Sequence, residues 1–282
     1  MGTHIALKKK IGTVVFLVIP LAVFLAFVMF PLYWIFVTSI KPESEITSKI
    51  ISYWPRNFTI ENFSNAWKNA GFSIYFKNSL VVSCIGILLI VSISILTGYA
   101  LARFKFRGKP AVMLILLCTQ FIPGAMLLTP MFILFKQFGM LNNLAALAFI
   151  NTTFQIPFNS ILMSGFIEGI DYGIEEAAQI DGCSRMGGLI RVVFPLLKPG
   201  IVTVAAYSFI ACWNEFLFAY MFISKQKKFT LSVGLKSLMG EYAINYGQLA
   251  AGAVLAVIPV AILFTIMQRH LIAGIGAGAV KG

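Results

Sequence analysis

The residues with the most chemical character fall in one polar stretch between apolar segments: Asp171-Tyr-Gly-Ile-Glu-Glu-Ala-Ala-Gln-Ile-Asp-Gly-Cys-Ser-Arg185, followed by Phe194-Pro195 and Lys198-Pro199-Gly200. Glu175, Glu176, Asp181 and Arg185 bring charge, and Ala177 and Ala178 are small enough to let another backbone come close. Asp171 is placed to cap a helix, and acids at 175 and 176 suit the positive end of its dipole. That helix is expected to stop near Asp181-Gly182, where glycine supplies a left-handed terminus. Ser184 then caps a second short helix that ends before Pro195. The result is a helix–turn–helix whose chemistry is recognition rather than catalysis. An aspartate at 182 is expected to crowd the turn. On these residues alone, a docking element and an amphipathic hairpin resting on a membrane with no partner fit equally.

A second set of polar residues interrupts apolar segments. Asn151, Gln155, Pro157 and Asn159 share one, and Trp213, Asn214 and Glu215 share another. Polar groups at membrane depth need partners or water, so such faces point into a bundle or a cavity. Helix packing and a transport pathway both account for them. Other chemistry is missing. A membrane enzyme would need clustered His, Asp, Ser or Cys within the spans, a proton-coupled transporter several intramembrane carboxylates, and Glu215 is the lone acid there. Cys84, Cys118, Cys183 and Cys212 form no CxxC pair, and three lie in apolar segments, so buried small hydrophobes are expected. His4 and His270 stand at opposite ends, and no metal site is expected. No G-x-x-x-x-G-K-[ST] loop is present; Gly108-Lys109-Pro110 is the nearest fragment.

The elements that position these residues are apolar helices. The chain has 282 residues, 59% of them hydrophobic and 11% charged. A soluble domain carries about 25% charged residues, so this composition cannot cover a water-facing surface. Six segments meet the ~20-residue requirement for a spanning helix, near 13–37, 79–101, 111–135, 144–166, 200–223 and 249–271. The first is too long for a signal-peptide core and lacks a clear cleavage site. Pro123, Pro130, Pro157 and Pro259 are expected to break or bend their helices. The net charge of +12 comes from residues between apolar spans, which fits membrane orientation better than nucleic acid. Lys8, Lys9 and Lys10 precede the first span, and Arg103, Lys105, Arg107 and Lys109 crowd a short loop, so both termini are expected in the cytoplasm. Lys225, Lys227, Lys228 and Lys236 in the last outer loop argue the other way. The long outer loop, 38–78, carries Trp54 and Trp67 as interfacial anchors.

The spacing Glu176-Ala177-Ala178, three residues, Gly182, nine residues, Val192-Val193-Phe194-Pro195 resembles the EAA loop of binding-protein-dependent ABC importer permeases. Val192 and Phe194 stand where that family usually has Ile and Leu. Thr38–Pro42, Asn78-Ser79-Leu80, Gly98–Arg103, Trp213–Phe216 and Gly274–Gly282 resemble its carbohydrate branch, and specifically the maltose-type permease without a large outside domain. The resemblance covers nearly the whole chain.

The resemblance implies an all-α membrane protein with six transmembrane helices, a type I importer permease fold with a MetI-like core and a cytoplasmic coupling helix. Residues 1–78 would form the first span and outer loop. Residues 79–282 would form the transmembrane domain, with the coupling loop at 168–199 and a tail at 272–282. Glu175, Glu176, Ala177, Ala178, Asp181, Gly182, Arg185 and Pro195 would serve coupling to an ATPase, and Gly274, Gly276, Gly278 and Lys281 a tail that touches it. Asn151, Gln155, Asn159, Trp213, Asn214 and Glu215 offer the aromatic, amide and carboxylate contacts that hold sugars. The implied partners are a second permease as heterodimer, two ATPase subunits, an extracytoplasmic solute-binding protein, membrane lipid and a sugar. ATP and Mg would sit on the ATPases, with no cofactor on this chain. The same fold importing glycerol phosphate, polyamine or phosphate is the alternative.

Overall fold

The computed structural model describes residues 14–240 and 244–279. Its helices are α1 (Ile19–Ser39), α2 (Phe72–Arg103), α3 (Lys109–Thr119), α4 (Gly124–Gln137), α5 (Leu144–Glu168), α6 (Tyr172–Ile180), α7 (Arg185–Leu196), α8 (Lys198–Asn214), α9 (Leu217–Phe222), α10 (Leu231–Ser237) and α11 (Tyr246–Ala279). No named strand occurs among the described residues. The described parts of all six apolar segments are built of helices, two of them interrupted, as a chain dissolved in lipid must satisfy its own backbone. The chain divides into two compact units. One takes the described part of Met1–Ala70 with Ser237–Leu255, the other Gly71–Lys236 with the described part of Ala256–Gly282.

In the first unit, α1 with the wider turn before it, Val15–Ser39, is a 25-residue apolar helix. At 1.5 Å per residue it is about 37 Å long, enough for a hydrocarbon core of about 30 Å. Phe16, Phe24 and Phe27 stand exposed along it, a surface suited to lipid. The loop after it is pinned by its own polar groups. Glu45 accepts hydrogen bonds from the Ser52 hydroxyl at 2.5 Å and the Arg56 and Asn57 amides at 3.0 and 3.2 Å. Buried Lys41 donates to the Ser52 carbonyl and lies over the Trp34 ring. Asn62 donates to the carbonyls of Ser39 and Lys41. Glu43 receives the first amides of α11, from Tyr246 and Gly247, placing negative charge at a helix N-terminus.

In the second unit, α2, α5 and α8 pack against one another. The closeness of α2 and α5 depends on Gly98. A Cβ there would lie 2.9 Å from Met163 Cβ and 3.0 Å from the Ser164 nitrogen, so a larger residue would force α2 and α5 apart. Thr97 and Ser160 share a hydroxyl hydrogen bond of 2.6 Å one residue away. Ile90, Tyr99, Met163, Ile167 and Leu197 belong to one buried cluster. Leu147, Ile150, Phe218 and Phe222 belong to another.

Several expectations change. The expected span at 111–135 is two helices, α3 and α4, bent by 92°. Pro123 caps α4 in an extended conformation; it lacks an N–H, and the residue before a proline is pushed out of the helical region. Of breaking and bending, breaking is excluded for Pro130, Pro157 and Pro259, whose helices run on through them. Membrane helices tolerate proline where neighbouring groups re-satisfy the freed carbonyl. The expected span at 200–223 stops at Asn214 and resumes as α9. Only Cys212 is buried; Cys84 and Cys118 are exposed on apolar helices and Cys183 is partly covered. A thiol facing lipid is as well solvated as one in the core, so burial was not required. Lys8–Lys10 and His4 lie outside the described residues.

The hydrogen bond from Ser52, then the amides of Arg56 and Asn57, hold the Glu45 carboxyl below the ordinary glutamate range, against a smaller opposing effect of burial. A depressed pKa supplies order above the ordinary value and loses it as pH falls through the folded value. The 41–57 loop is therefore expected to become protease-sensitive in acid, and Glu45→Gln to show that sensitivity at neutral pH. Equal digestion of variant and wild type at neutral pH would count against this.

Candidate functional site

The polar stretch folds as the hairpin its residues dictate. Asp171 accepts from the Gly173 amide at 3.0 Å and opens α6. At the other end, the amides of Gly182 and Cys183 return to the carbonyls of Gln179 and Ala178, and Gly182 has φ +88°. Ser184 accepts from the Gly187 amide at 3.1 Å and opens α7. Two expectations are corrected. α7 does not end before Pro195 but reaches Leu196, because a wider turn at Leu189–Val193 sets Pro195 in the first turn of the segment that follows, where its missing N–H is harmless. A side chain at 182 would crowd nothing within 4 Å; the demand for glycine there is the left-handed backbone alone.

The two adjacent glutamates face opposite ways. Glu176 is exposed, while Glu175 is only 1% exposed. Arg103 in the last turn of α2 donates from Nε to Glu175 Oε1 at 2.6 Å and from its terminal nitrogen to the Ile170 carbonyl at 2.8 Å. The Tyr99 hydroxyl donates to Glu175 Oε2 at 3.0 Å. The Arg103 guanidinium also covers the Tyr172 ring, and Arg185 lies over Phe104. Glu175 and Arg185 thus fasten the hairpin to the end of α2, whereas Glu176, Ala177, Asp181 and Gly182 form its outer surface.

That surface has an apolar tip which the spacing did not reveal. Ile180 is 86% exposed, and Met186 and Ile190 stand exposed on α7. Ile180 sits beside Asp181-Gly182 at the end of a helix, where a solvated hairpin has no use for isoleucine. That local mismatch was the signal available.

The second polar set is only partly gathered. Asn151, Gln155 and Glu215 line one cavity of about 110 Å³, with Phe154, Cys212 and Phe218. Asn151 is buried, and neither of its amide atoms has a partner among the described residues. Glu215 caps α9, accepting from the amides of Phe218 and Ala219 at 2.7 and 2.9 Å. Three members do not join. Asn159 is buried and donates to the Gln155 carbonyl. Trp213 is spent on packing: its indole donates to the Ala256 carbonyl and its ring stacks on Phe209 and meets Phe76 edge-on. Asn214 is exposed outside the cavity. Gly274, Gly276 and Gly278 fall in the last turns of α11, and Lys281 lies outside the described residues. Among the described residues no group of acids, histidines or cysteines forms a metal site.

Residues 90–276 match the family model of binding-protein-dependent transport system inner membrane components, a range that holds both the hairpin and the cavity. The chain belongs to that family. The permease is 35% identical over 254 residues to the sulfoquinovosyl glycerol transport system permease protein SmoH of Agrobacterium fabrum, covering 90% of this chain and 89% of the relative. It is 36% identical over 253 residues to the melibiose/raffinose/stachyose import permease protein MelC of Bacillus subtilis, covering 89% and 91%. A chain in the crystal structure of a bacterial ABC transporter involved in the import of the acidic polysaccharide alginate has the same fold, with a TM-score of 0.82 at 23% identity over 93% of this chain and 97% of that one. The permease is a multi-pass inner-membrane component of an ABC transporter that works with a solute-binding protein. It is not the enzyme; ATP is hydrolysed in separate subunits.

Because Gly182 is held in the left-handed region with open space around it, Gly182→Val is expected to cost about 1–2 kcal/mol and Gly182→Asn clearly less. Thermal unfolding of the purified permease in detergent measures both. Equal losses from the two variants would show that backbone conformation is not what selects glycine there.

Proposed function

We propose that this permease forms half of the translocation pathway for a sugar or oligosaccharide and is driven by two ATPase subunits that grip its hairpin. It pairs with a second permease, receives solute from an extracytoplasmic binding protein and binds neither ATP nor Mg itself. The observation that carries the coupling reading is the exposed tip. Ile180, Met186 and Ile190 stand exposed, as do Glu176, Ala177 and Asp181, on a hairpin whose other side is fastened by Glu175. An apolar surface rimmed by charge fits a cleft on a partner protein. The sugar reading rests on the relatives, whose names specify sulfoquinovosyl glycerol and melibiose, raffinose or stachyose. The Asn151, Gln155 and Glu215 cavity supplies amide and carboxylate groups to meet hydroxyls.

The orientation follows from α2. The Lys225–Lys228 loop is tied to its start, where Asn78 donates to the carbonyls of Lys227 and Phe229. The hairpin is tied to its last turn. Asn78 and Arg103 are about 38 Å apart along the helix, more than the hydrocarbon thickness of about 30 Å. The lysine loop and the hairpin therefore lie on opposite sides of the membrane. With the hairpin facing the ATPases, the lysine loop is outside. Cytoplasmic termini, with Gly274, Gly276, Gly278 and Lys281 on the ATPase side, are part of the same proposal.

Nucleotide binding to the ATPases would draw the hairpins together and turn the cavity from inward- to outward-facing. Moving such an equilibrium from 1:99 to 99:1 takes about 5.5 kcal/mol of differential binding. Uptake of labelled oligosaccharides into vesicles holding the assembled transporter tests the substrate; ATP-dependent accumulation is expected, and failure of every saccharide would overturn it. Ile180→Asp is expected to lower co-purification of the ATPase about tenfold while leaving the permease folded. Undiminished co-purification would remove the hairpin from the interface.

A further inference from the structure

The hairpin is continuous in the chain with α5 before it and α8 after it, so a displacement of the hairpin reaches those helices covalently. α2 has no such connection. Its hold on the hairpin is made by side chains 72 positions apart in sequence. The Arg103 and Glu175 side chains are 9% and 2% exposed, and between them they make one ion pair, one hydrogen bond to the Ile170 carbonyl and one from Tyr99. A buried pair of this kind adds little net stability over apolar residues of the same volume. What it does add is fixed geometry. The fork of Arg103 spans the Ile170 carbonyl just ahead of α6 and Glu175 within α6, so α2 cannot slide or turn against the hairpin without leaving a charge unpaired out of water.

We infer that Arg103 and Glu175, steadied by Tyr99, are the positioning residues that make α2 move with the hairpin when the ATPases drive it. This rests on the reading that the hairpin meets the ATPases. It divides the work of the two adjacent acids: Glu176 faces the motor, and Glu175 passes the motion inward to a helix that the chain itself does not connect. Gly98, five residues before Arg103, then carries it to the face of α5 that α2 touches.

The test uses the assembled transporter in lipid vesicles. R103M/E175M replaces the pair by apolar side chains of similar length, and Arg103→Lys keeps the charge but loses the fork. A label on Lys77→Cys, exposed near the other end of α2, reports the motion of α2 on addition of ATP. In R103M/E175M the ATPases are expected to co-purify at the wild-type level, the ATP-dependent signal at residue 77 to vanish, and ATP hydrolysed per solute moved to rise about tenfold. Arg103→Lys is expected to fall between. A purely stabilising pair would lower the amount of transporter but leave that ratio and the residue 77 signal unchanged, and such a result overturns the inference. If R103M/E175M does not assemble, Tyr99→Phe decides, since it leaves the ion pair in place; a wild-type ratio there also overturns it. Undiminished ATPase docking in Ile180→Asp condemns the docking reading, whereas normal docking of R103M/E175M with unchanged coupling condemns only this one.

Discussion

A carboxylate taken out of water must find its positive charge within the protein. Glu175 meets that requirement at the end of α2, and much of the hairpin's geometry follows from it. The cation had to come from a helix that ends at the membrane surface, because an arginine further in would have no water to fall back on. Arg103 sits in the last turn of α2, where its charge also complements the helix dipole. With Glu175 committed inward, the next residue on the helix is turned outward, and the one-residue step between the two acids separates an anchored face from a free one.

The same demand for internal partners shapes the rest of the second unit. Where α8 stops, Glu215 supplies acceptors for the amides that begin α9. Where α3 stops, Pro123 removes a donor that would otherwise be unsatisfied. Several hydroxyls, those of Thr152, Ser164 and Thr203 among them, return to carbonyls of their own helices, and Thr97 also pairs across helices with Ser160. Single oxygens of Ser83, Ser94, Asn159 and Ser208 are also buried without a partner among the described residues, but Asn151 leaves both amide atoms so, and it does this in the wall of a cavity. A side-chain amide left wholly unsatisfied beside a cavity suits a place where solute or water passes.

The hairpin was legible because its signals are local. Asp171, Gly182 and Ser184 act on backbone groups within three residues, so their types fix caps and turn without reference to the remaining chain. The end of α7 was misjudged because a proline is disruptive only if its neighbours keep ordinary helical pairing, and the wider turn before it changes that pairing. The roles within Glu175-Glu176 could not be separated either, since either acid can face outward until a partner is identified. Among the polar residues of the spans, Trp213 looked like Asn151 and Glu215 in sequence. Only the position of the Ala256 carbonyl shows that its indole is already occupied.

Composition and local pattern alone determined that this chain dissolves in lipid, folds into helices and carries a charged hairpin between its fourth and fifth apolar segments. These follow from hydrophobicity, helix length and capping, which operate over a few turns of chain. The tertiary structure decided which acid is anchored, which apolar side chains are left over at the tip, where spans break and which amide lacks a partner. Each of these depends on a group supplied from tens of residues away, and whether such a group arrives is set by packing rather than by spacing.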